Sequence, residues 1–192
     1  MVRMATRPLP RAQRRQVILS GAARAFASGG FEATSMEDIA VSAGVTKLIV
    51  YRHFDSKEDL YRAILEEVSG RLGAEVRSAM DRDQRHGVFG PAFLAVARHD
   101  PDGFRLLWKH SSREPRFARY SADVRGASVD FARTRLGKRV DGALVEWAAP
   151  MSVDFLVEAV LNWLDHGDPD ADGRFLDVVE RSLVALVEAW AQ

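Results

Sequence analysis

The sequence has no cysteine among its 192 residues, which excludes disulfides, thiolate metal sites and cysteine nucleophiles. It also has no apolar run near the roughly 18–20 residues that a membrane span requires. A short apolar stretch after Arg14 and Arg15 imitates a signal peptide, but Arg24 interrupts it. We therefore expect a cytoplasmic protein without a membrane partner.

Runs of alternating polar and β-branched residues, which are typical of strands, are absent too, and so are internal repeats. Apolar residues recur instead at helical spacing, and glycine, proline or hydroxyl residues separate the periodic segments. The pattern predicts helices over residues 11–28, 36–43, 47–53, 57–82, 88–98, 101–111, 115–137, 150–165 and 174–191. The expected fold is all-α.

The long predicted helix over residues 57–82 carries a four-residue stripe of Leu60, Ile64, Val68, Leu72, Val76 and Met80. At 1.5 Å per residue it spans roughly 39 Å, which is longer than a small domain. We therefore expect it to connect two units.

The net charge is zero, but the charges are unevenly distributed. Residues 1–31 contain no acid and six arginines, of which Arg3 and Arg7 fall in a proline-containing arm over residues 1–10. Residues 140–192 contain eleven acids and two arginines. The first part is suited to contact phosphates, and the second would be repelled by them.

Residues 35–54 have turn, small and capping residues at the spacing expected for a helix-turn-helix. Gly44 supplies the tight turn between the two short helices, Ala40 is small enough for a close helix crossing, and Val45 is expected to be buried there. Ser35 with Asp38 forms a capping-box pattern, and Thr46 is placed to cap the second helix. An ordinary helical hairpin in a protein core would share this spacing.

Four runs make the comparison more specific, namely GFEATSMEDIA (residues 30–40), AGVTK (43–47), YRHF (51–54) and SKEDL (56–60). Together they resemble the tetracycline-repressor (TetR) family over about residues 14–62. The resemblance implies a three-helix DNA-binding domain over residues 11–56, preceded by the flexible basic arm. It also implies a larger helical domain for ligand binding and dimerisation over residues 57–192.

The resemblance further implies that the third helix enters the major groove of double-stranded DNA. The DNA contacts carried over to this sequence are Thr34, Ser35, Thr46, Lys47, Leu48, Tyr51, Arg52, His53 and Lys57. The three hydroxyl residues among them also fit a purely capping role, and His53 also fits a helix-end position. Leu48 replaces the small residue usual in the family, which would hold the helix away from the bases or allow contact with a thymine methyl.

The predicted ligand pocket rests on aromatic residues spread over several helices, because apolar and aromatic walls suit small molecules. The candidates are Phe93, Phe104, Trp108, Tyr120, Trp147 and Phe155, with Trp108 and Trp147 foremost. Each of them could equally be core. For dimerisation we expect the helices over residues 150–165 and 174–191, with Leu156, Val160, Leu161, Leu164, Val178, Leu186 and Trp190 as candidates.

The function that these observations favour is a dimeric repressor that binds a palindromic operator and is released by a largely apolar small molecule. The long helix would transmit the change. No cofactor and no enzymatic activity are expected, since the sequence has no His-Glu-x-x-His motif, phosphate-binding glycine loop or nucleophile elbow. The alternative is a helical ligand-binding or adaptor protein that has lost specific DNA binding.

Overall fold

A computed structural model describes residues 10–81 and 89–191 of the chain. Within these ranges the secondary structure is helical and no strand is present, so the all-α prediction is confirmed. The helices are α1 (Arg11–Gly29), α2 (Met36–Ala43), α3 (Lys47–Tyr51), α4 (Lys57–Asp81), α5 (Phe89–His99), α6 (Pro101–Arg105), α7 (Ala118–Leu136), α8 (Gly142–His166) and α9 (Asp172–Trp190). After α6 the chain continues through a π-type turn (Leu106–His110) and a 3-10 turn (Ser111–Arg113).

The largest error in a predicted helix boundary is at the start of α8. The helix expected to begin at Pro150 begins at Gly142, and the proline lies inside it. Proline is favoured at the first turn of a helix because it lacks an N–H, and in the interior it costs about 3 kcal/mol. The preceding turns bury Val145, Ala148 and Ala149, and this apolar burial offsets the missing hydrogen bond.

The N-terminal unit comprises Met1–Ile64 and includes the first two turns of α4, beyond the predicted end at residue 56. Its core contains an aromatic cluster in which Tyr61 of α4 packs edge-on against Phe26 and Phe31, with ring centroids 5.0 and 5.3 Å apart. Leu60 and Ile64 are buried in the same unit. These contacts explain why the start of α4 belongs to this unit.

Helices α1 and α2 cross very closely. A Cβ added to Gly21 of α1 would lie 2.5 Å from the Cα of Ala43 in α2, which is closer than real Cβ atoms approach backbone. At the same crossing Arg24 donates to the carbonyl of Ser42 at 3.0 Å. The only side chain that fits at position 21 is therefore a hydrogen atom.

The C-terminal unit comprises Leu65–Gln192. Helices α7 and α8 run antiparallel within it, joined by Arg125–Asp154 and Arg133–Glu146 ion pairs with shortest distances of 2.7 and 2.9 Å. Of the predicted α4 stripe in this unit, Val68 and Leu72 are buried, whereas Met80 is half exposed. The stripe is therefore confirmed for its first part and not for its end.

The partly buried carboxylate of Asp172 connects three helices of this unit. Asp172, the first residue of α9, accepts two hydrogen bonds from Arg98 of α5 at 2.7 and 3.0 Å, and one from the Trp163 indole of α8 at 2.6 Å. These donors hold the pKa of Asp172 below its usual value, with the Arg98 bonds as the largest cause. The carboxylate thus fixes where α9 begins.

Candidate nucleic-acid interface

Helix α2 begins with a complete capping box. The Ser35 hydroxyl accepts from the backbone N–H of Asp38 at 3.2 Å, and the Asp38 carboxylate accepts from the Ser35 backbone N–H at 2.9 Å. Gly44 ends the helix in the left-handed conformation, with φ of 65°. The predicted cap and turn are therefore confirmed, and they fix the orientation in which the chain enters α3.

Helix α3 is anchored on one side and exposed on the other. Val50 is fully buried and is the main anchor, while Val45, which was expected to be buried, is only partly so. Leu48 and Tyr51 are 62% and 46% exposed, and Lys47 and Arg52 share their side of the helix. Large apolar side chains exposed beside cations are typical of an interaction surface.

The start of α3 presents polar groups without using them in capping. Thr46 occupies the N-cap position and is exposed, but its side chain makes no hydrogen bond to the helix, so the predicted side-chain cap is not formed. Lys47 lies beside Glu37 of α2, with 3.6 Å between the ammonium nitrogen and a carboxylate oxygen. Both side chains are at least half exposed, so this ion pair is weak and the ammonium can exchange partners.

Arginines at the start of α1 act on His53, just after α3. Burial lowers the pKa of His53, and the positive charges of Arg11, Arg14 and Arg15 lower it further. His53 is therefore neutral at pH 7 in the free protein and can donate one hydrogen bond. The remainder of the predicted basic arm, residues 1–9, lies outside the described residues.

Two residues that were predicted to contact DNA form hydrogen bonds within the protein. Thr34 is only 4% exposed, and its hydroxyl donates to the carbonyl of Gly30 at 2.6 Å. The Lys57 ammonium donates to the carbonyls of Phe31, Glu32 and Thr34 at 2.9–3.3 Å. An ammonium has three N–H donors, so none remains for phosphate. In the free protein these bonds occupy the Thr34 hydroxyl and the Lys57 ammonium, and contact of either residue with DNA stays a prediction.

Comparisons with known proteins agree with this geometry. The profile of the family described as "Bacterial regulatory proteins, tetR family" matches residues 18–64. The HTH-type transcriptional activator FasR of Mycolicibacterium smegmatis is 32% identical over 169 residues, covering 84% of this chain and 77% of FasR. The HTH-type transcriptional repressor Rv1474c of Mycobacterium tuberculosis is 27% identical over 179 residues, covering 90% and 94%.

The chain belongs to the TetR family.

The fold similarity extends well beyond the helix-turn-helix. The structure of AibR, determined in complex with isovaleryl coenzyme A and operator DNA, superimposes with a TM-score of 0.65 over 88% of this chain and 97% of AibR, at 23% identity. The predicted family and architecture are therefore confirmed, and the chain is a TetR-family transcriptional regulator with a helix-turn-helix.

The six aromatic residues predicted to line a ligand pocket do not converge in this TetR-family fold. Phe93 and Phe104 are fully buried and pack against Trp108, with ring centroids 5.5 and 6.2 Å from the indole. The Trp108 Nε1 atom is buried and has no hydrogen-bond partner among the described residues. Tyr120 donates to Glu66 at 3.1 Å, Trp147 is 52% exposed, and Phe155 is partly buried. Their role in ligand binding stays a prediction.

The C-terminal unit does contain a cavity of about 390 Å³, which aromatic composition alone did not locate. It lies between α5, α7 and α9, and none of the six predicted residues lines it. Its walls are mainly apolar, with Phe89, Phe131, Leu136, Leu176, Val179, Leu183, Val184 and Val187 among them. A sequence signal for it is the apolar stripe of α9, in which Leu176, Val179, Leu183 and Val187 recur at three- and four-residue spacing.

The candidate dimer helices are also only partly as predicted. Leu156, Val160 and Leu161 of α8 are buried within the single chain and cannot contact a partner. Val178 of the predicted set is exposed on α9, and the other large apolar side chains exposed on α8 and α9 are Leu144, Trp147, Met151 and Val184. Of these, Leu144, Trp147 and Met151 lie in the first half of α8, around Pro150.

The described residues contain no helix long and apolar enough to cross a membrane. They also contain no cluster of three or more His, Asp or Glu side chains arranged for a metal ion.

Proposed function

We propose that this TetR-family regulator is a dimeric repressor that binds a palindromic DNA operator and is released from it by a small molecule. In this proposal each protomer places α3 in the major groove of one half-site, and the twofold symmetry of the protein matches that of the DNA. The observation that carries the proposal is the exposed side of α3, where Leu48 and Tyr51 lie beside Lys47 and Arg52.

The proposed contacts divide into two groups. Lys47, Leu48 and Tyr51 face base edges, where Leu48 suits the methyl group of thymine. The phosphate contacts come from the exposed hydroxyls of Ser35 and Thr46, from the neutral imidazole of His53 as a hydrogen-bond donor, and from the cations around them, namely Arg52, Arg11, Arg14 and Arg15. Phosphate contacts fix the position of the protein and make its affinity salt-dependent.

Repression is proposed because Rv1474c is a repressor that aligns with nearly this whole chain. Activation is the second candidate, because FasR, at 32% identity, is an activator. In vitro transcription from the bound promoter separates them. The amount of transcript is expected to fall as the regulator is added, and a rise would assign the chain to activation.

The C-terminal unit is proposed to supply dimerisation and effector binding. Exposed Leu144, Trp147 and Met151 on α8, with Val178 on α9, provide an apolar surface for a second copy. AibR was solved with isovaleryl coenzyme A, and we propose that the effector here also carries an acyl chain. A ligand that prefers the conformer unable to span both half-sites would lower operator affinity.

The test is fluorescence anisotropy with the DNA upstream of the regulator's own gene and with a scrambled duplex of equal composition. We expect a preference of about 10³ or more for the upstream DNA and a steep loss of affinity with salt. An effector must weaken operator binding by the same factor by which DNA weakens effector binding. Equal affinity for both duplexes would contradict the proposal and favour the adaptor alternative.

A further inference from the structure

The cavity between α5, α7 and α9 has the size and walls of a small-molecule site. Its volume of about 390 Å³ falls in the range of roughly 300–1,000 Å³ that is typical of such sites. Helix α9 contributes Leu176, Val179, Glu180, Leu183, Val184 and Val187. These positions recur at three- and four-residue spacing, so a single side of α9 forms one long wall.

Cations at the end of α7 line the same cavity. Arg135 in the last turn of α7, with Lys138 and Arg139 just after it, lines the cavity, and Glu180 is the only carboxylate among its lining residues. Lys138 and Arg139 are exposed, and no ion pair joins either to another described residue. Cations also suit the negative end of a helix dipole, so their presence alone does not show a ligand.

The combination of features does specify a chemistry. We propose that this cavity binds a single-chain amphiphile, with its apolar chain along α9 and its anionic head group at Lys138 and Arg139. Burying the chain removes apolar surface from water, and guanidinium and ammonium groups form charge-assisted hydrogen bonds with carboxylate or phosphate oxygens. A fatty acid and a fatty-acyl thioester of coenzyme A share this chemistry.

The inference rests on the proposed function only in taking the amphiphile as the effector. Binding itself is measured on the full-length protein without DNA, by isothermal titration calorimetry. The probes are laurate, lauroyl coenzyme A, the uncharged methyl ester of laurate, and coenzyme A alone. Laurate presents a carboxylate and lauroyl coenzyme A presents phosphates, so their relative affinities identify the head group.

Two variants test the cationic part and the apolar part of the cavity. The double variant Lys138→Gln/Arg139→Gln is expected to weaken binding of the preferred anionic probe about tenfold or more, because a charge-assisted hydrogen bond contributes about that factor. The same variant is expected to bind methyl laurate with unchanged affinity. Ala132→Phe places a ring in the cavity and is expected to abolish binding of all chain-bearing probes.

Matched controls lie outside the cavity. Arg113→Gln/Arg174→Gln removes two exposed cations, and Ala127→Phe adds a ring on an exposed position of α7, and none of these residues lines the cavity. Both controls are expected to bind the probes as the parent does. Operator binding and circular dichroism show whether each variant is folded.

The inference is overturned if no probe binds the parent, if the double glutamine variant keeps full affinity for both anionic probes, or if folded Ala132→Phe still binds them. Failure of the proposed function gives a different result. In that case the probes bind and respond to the variants, but the protein has no preferred DNA or the probes do not change its DNA affinity.

Discussion

Lys47 and Lys57 show how one residue type acquires two roles in the N-terminal unit. Both belong to motifs that resemble DNA contacts, yet Lys57 donates to three backbone carbonyls of the loop after α1 and lies 4.6 Å from the centre of the Phe31 ring. Sequence spacing could not show this, because those carbonyls converge only when α1 and α4 are packed. Lys47 keeps its ammonium at the surface.

Replacing Glu37 tests how much its carboxylate restrains Lys47. We expect Glu37→Gln to tighten DNA binding about two- to fivefold at low salt, in line with the roughly 0.5–1 kcal/mol of an exposed ion pair. The gain should shrink at high salt because the charges are exposed. Anisotropy titrations at two salt concentrations measure it.

Glu32→Gln is the matched control, since it removes an exposed carboxylate of the same unit that has no ion pair with Lys47. An equal gain from both substitutions would show that only the net charge matters and that the Glu37–Lys47 pair has no specific effect.

Gly21 is a second residue whose role depends on packing. Because a Cβ there would meet the backbone of Ala43, Gly21→Ala should force α1 and α2 apart and cost about 1–3 kcal/mol of unfolding free energy. Urea denaturation followed by circular dichroism measures this. In contrast, Gly70→Ala on an open position of α4 should stabilise by about 0.5–1 kcal/mol. If neither substitution, or if both substitutions, lowered the unfolding free energy, the close crossing of α1 and α2 would not be the reason for glycine at position 21.

At the scale of elements, local signals predicted α2 and its ends because they act over a few residues. Ser35, Asp38 and Gly44 define that helix through bonds and backbone conformation within one turn. The start of α8 was mispredicted because Pro150 carries a strong local signal, while the burial of Val145 and Ala149 that outweighs it depends on neighbouring helices. The π-type turn after α6 also has no local signal that we can identify.

Asp100 offers an element-scale test, since it caps α6 by accepting from the Gly103 N–H at 2.9 Å. Burial raises the pKa of this carboxyl. A carboxyl with a raised folded-state pKa favours folding when protonated, so its contribution is present below the unfolded pKa and is lost as pH rises through the folded pKa. At neutral pH the buried charge therefore costs stability.

Asp100→Asn keeps the accepting oxygen and removes the charge. We expect a higher melting temperature than the parent at pH 7 and no gain near pH 3, where the parent carboxyl is protonated. Asp100→Ala, which loses the cap, should be less stable than the asparagine variant at both pH values by about 1 kcal/mol. A gain that persists at pH 3 would exclude relief of the buried charge as its origin.

At the scale of the molecule, composition and motifs predicted the fold class and the DNA-binding end, but not the cavity. The first two depend on local patterns, such as the runs over residues 30–47. The cavity depends on how α5, α7 and α9 are spaced, and the aromatic residues singled out from the sequence, including Phe93 and Phe104, pack against each other instead.

The proposed dimer is tested by placing a charge on its exposed apolar surface. Trp147, which packs edge-on against Trp190 with centroids 5.5 Å apart, is half exposed in the single chain. We expect Trp147→Glu to shift the protein from dimer to monomer in analytical ultracentrifugation and to reduce operator affinity. The control Leu48→Glu charges an equally exposed apolar residue on α3 and should remain a dimer. The opposite pattern would place the interface elsewhere.

The most direct measurement of the central claim, that the exposed side of α3 contacts operator bases, is the preference of Leu48→Ala/Tyr51→Ala for operator over scrambled DNA. Both side chains are exposed, so stability should be unchanged. We predict that the preference falls more than about tenfold, because base contacts each contribute roughly 1–3 kcal/mol. Arg62→Gln, an exposed cation of the same unit on α4, should keep the full preference. An undiminished preference in the α3 variant would contradict the claim.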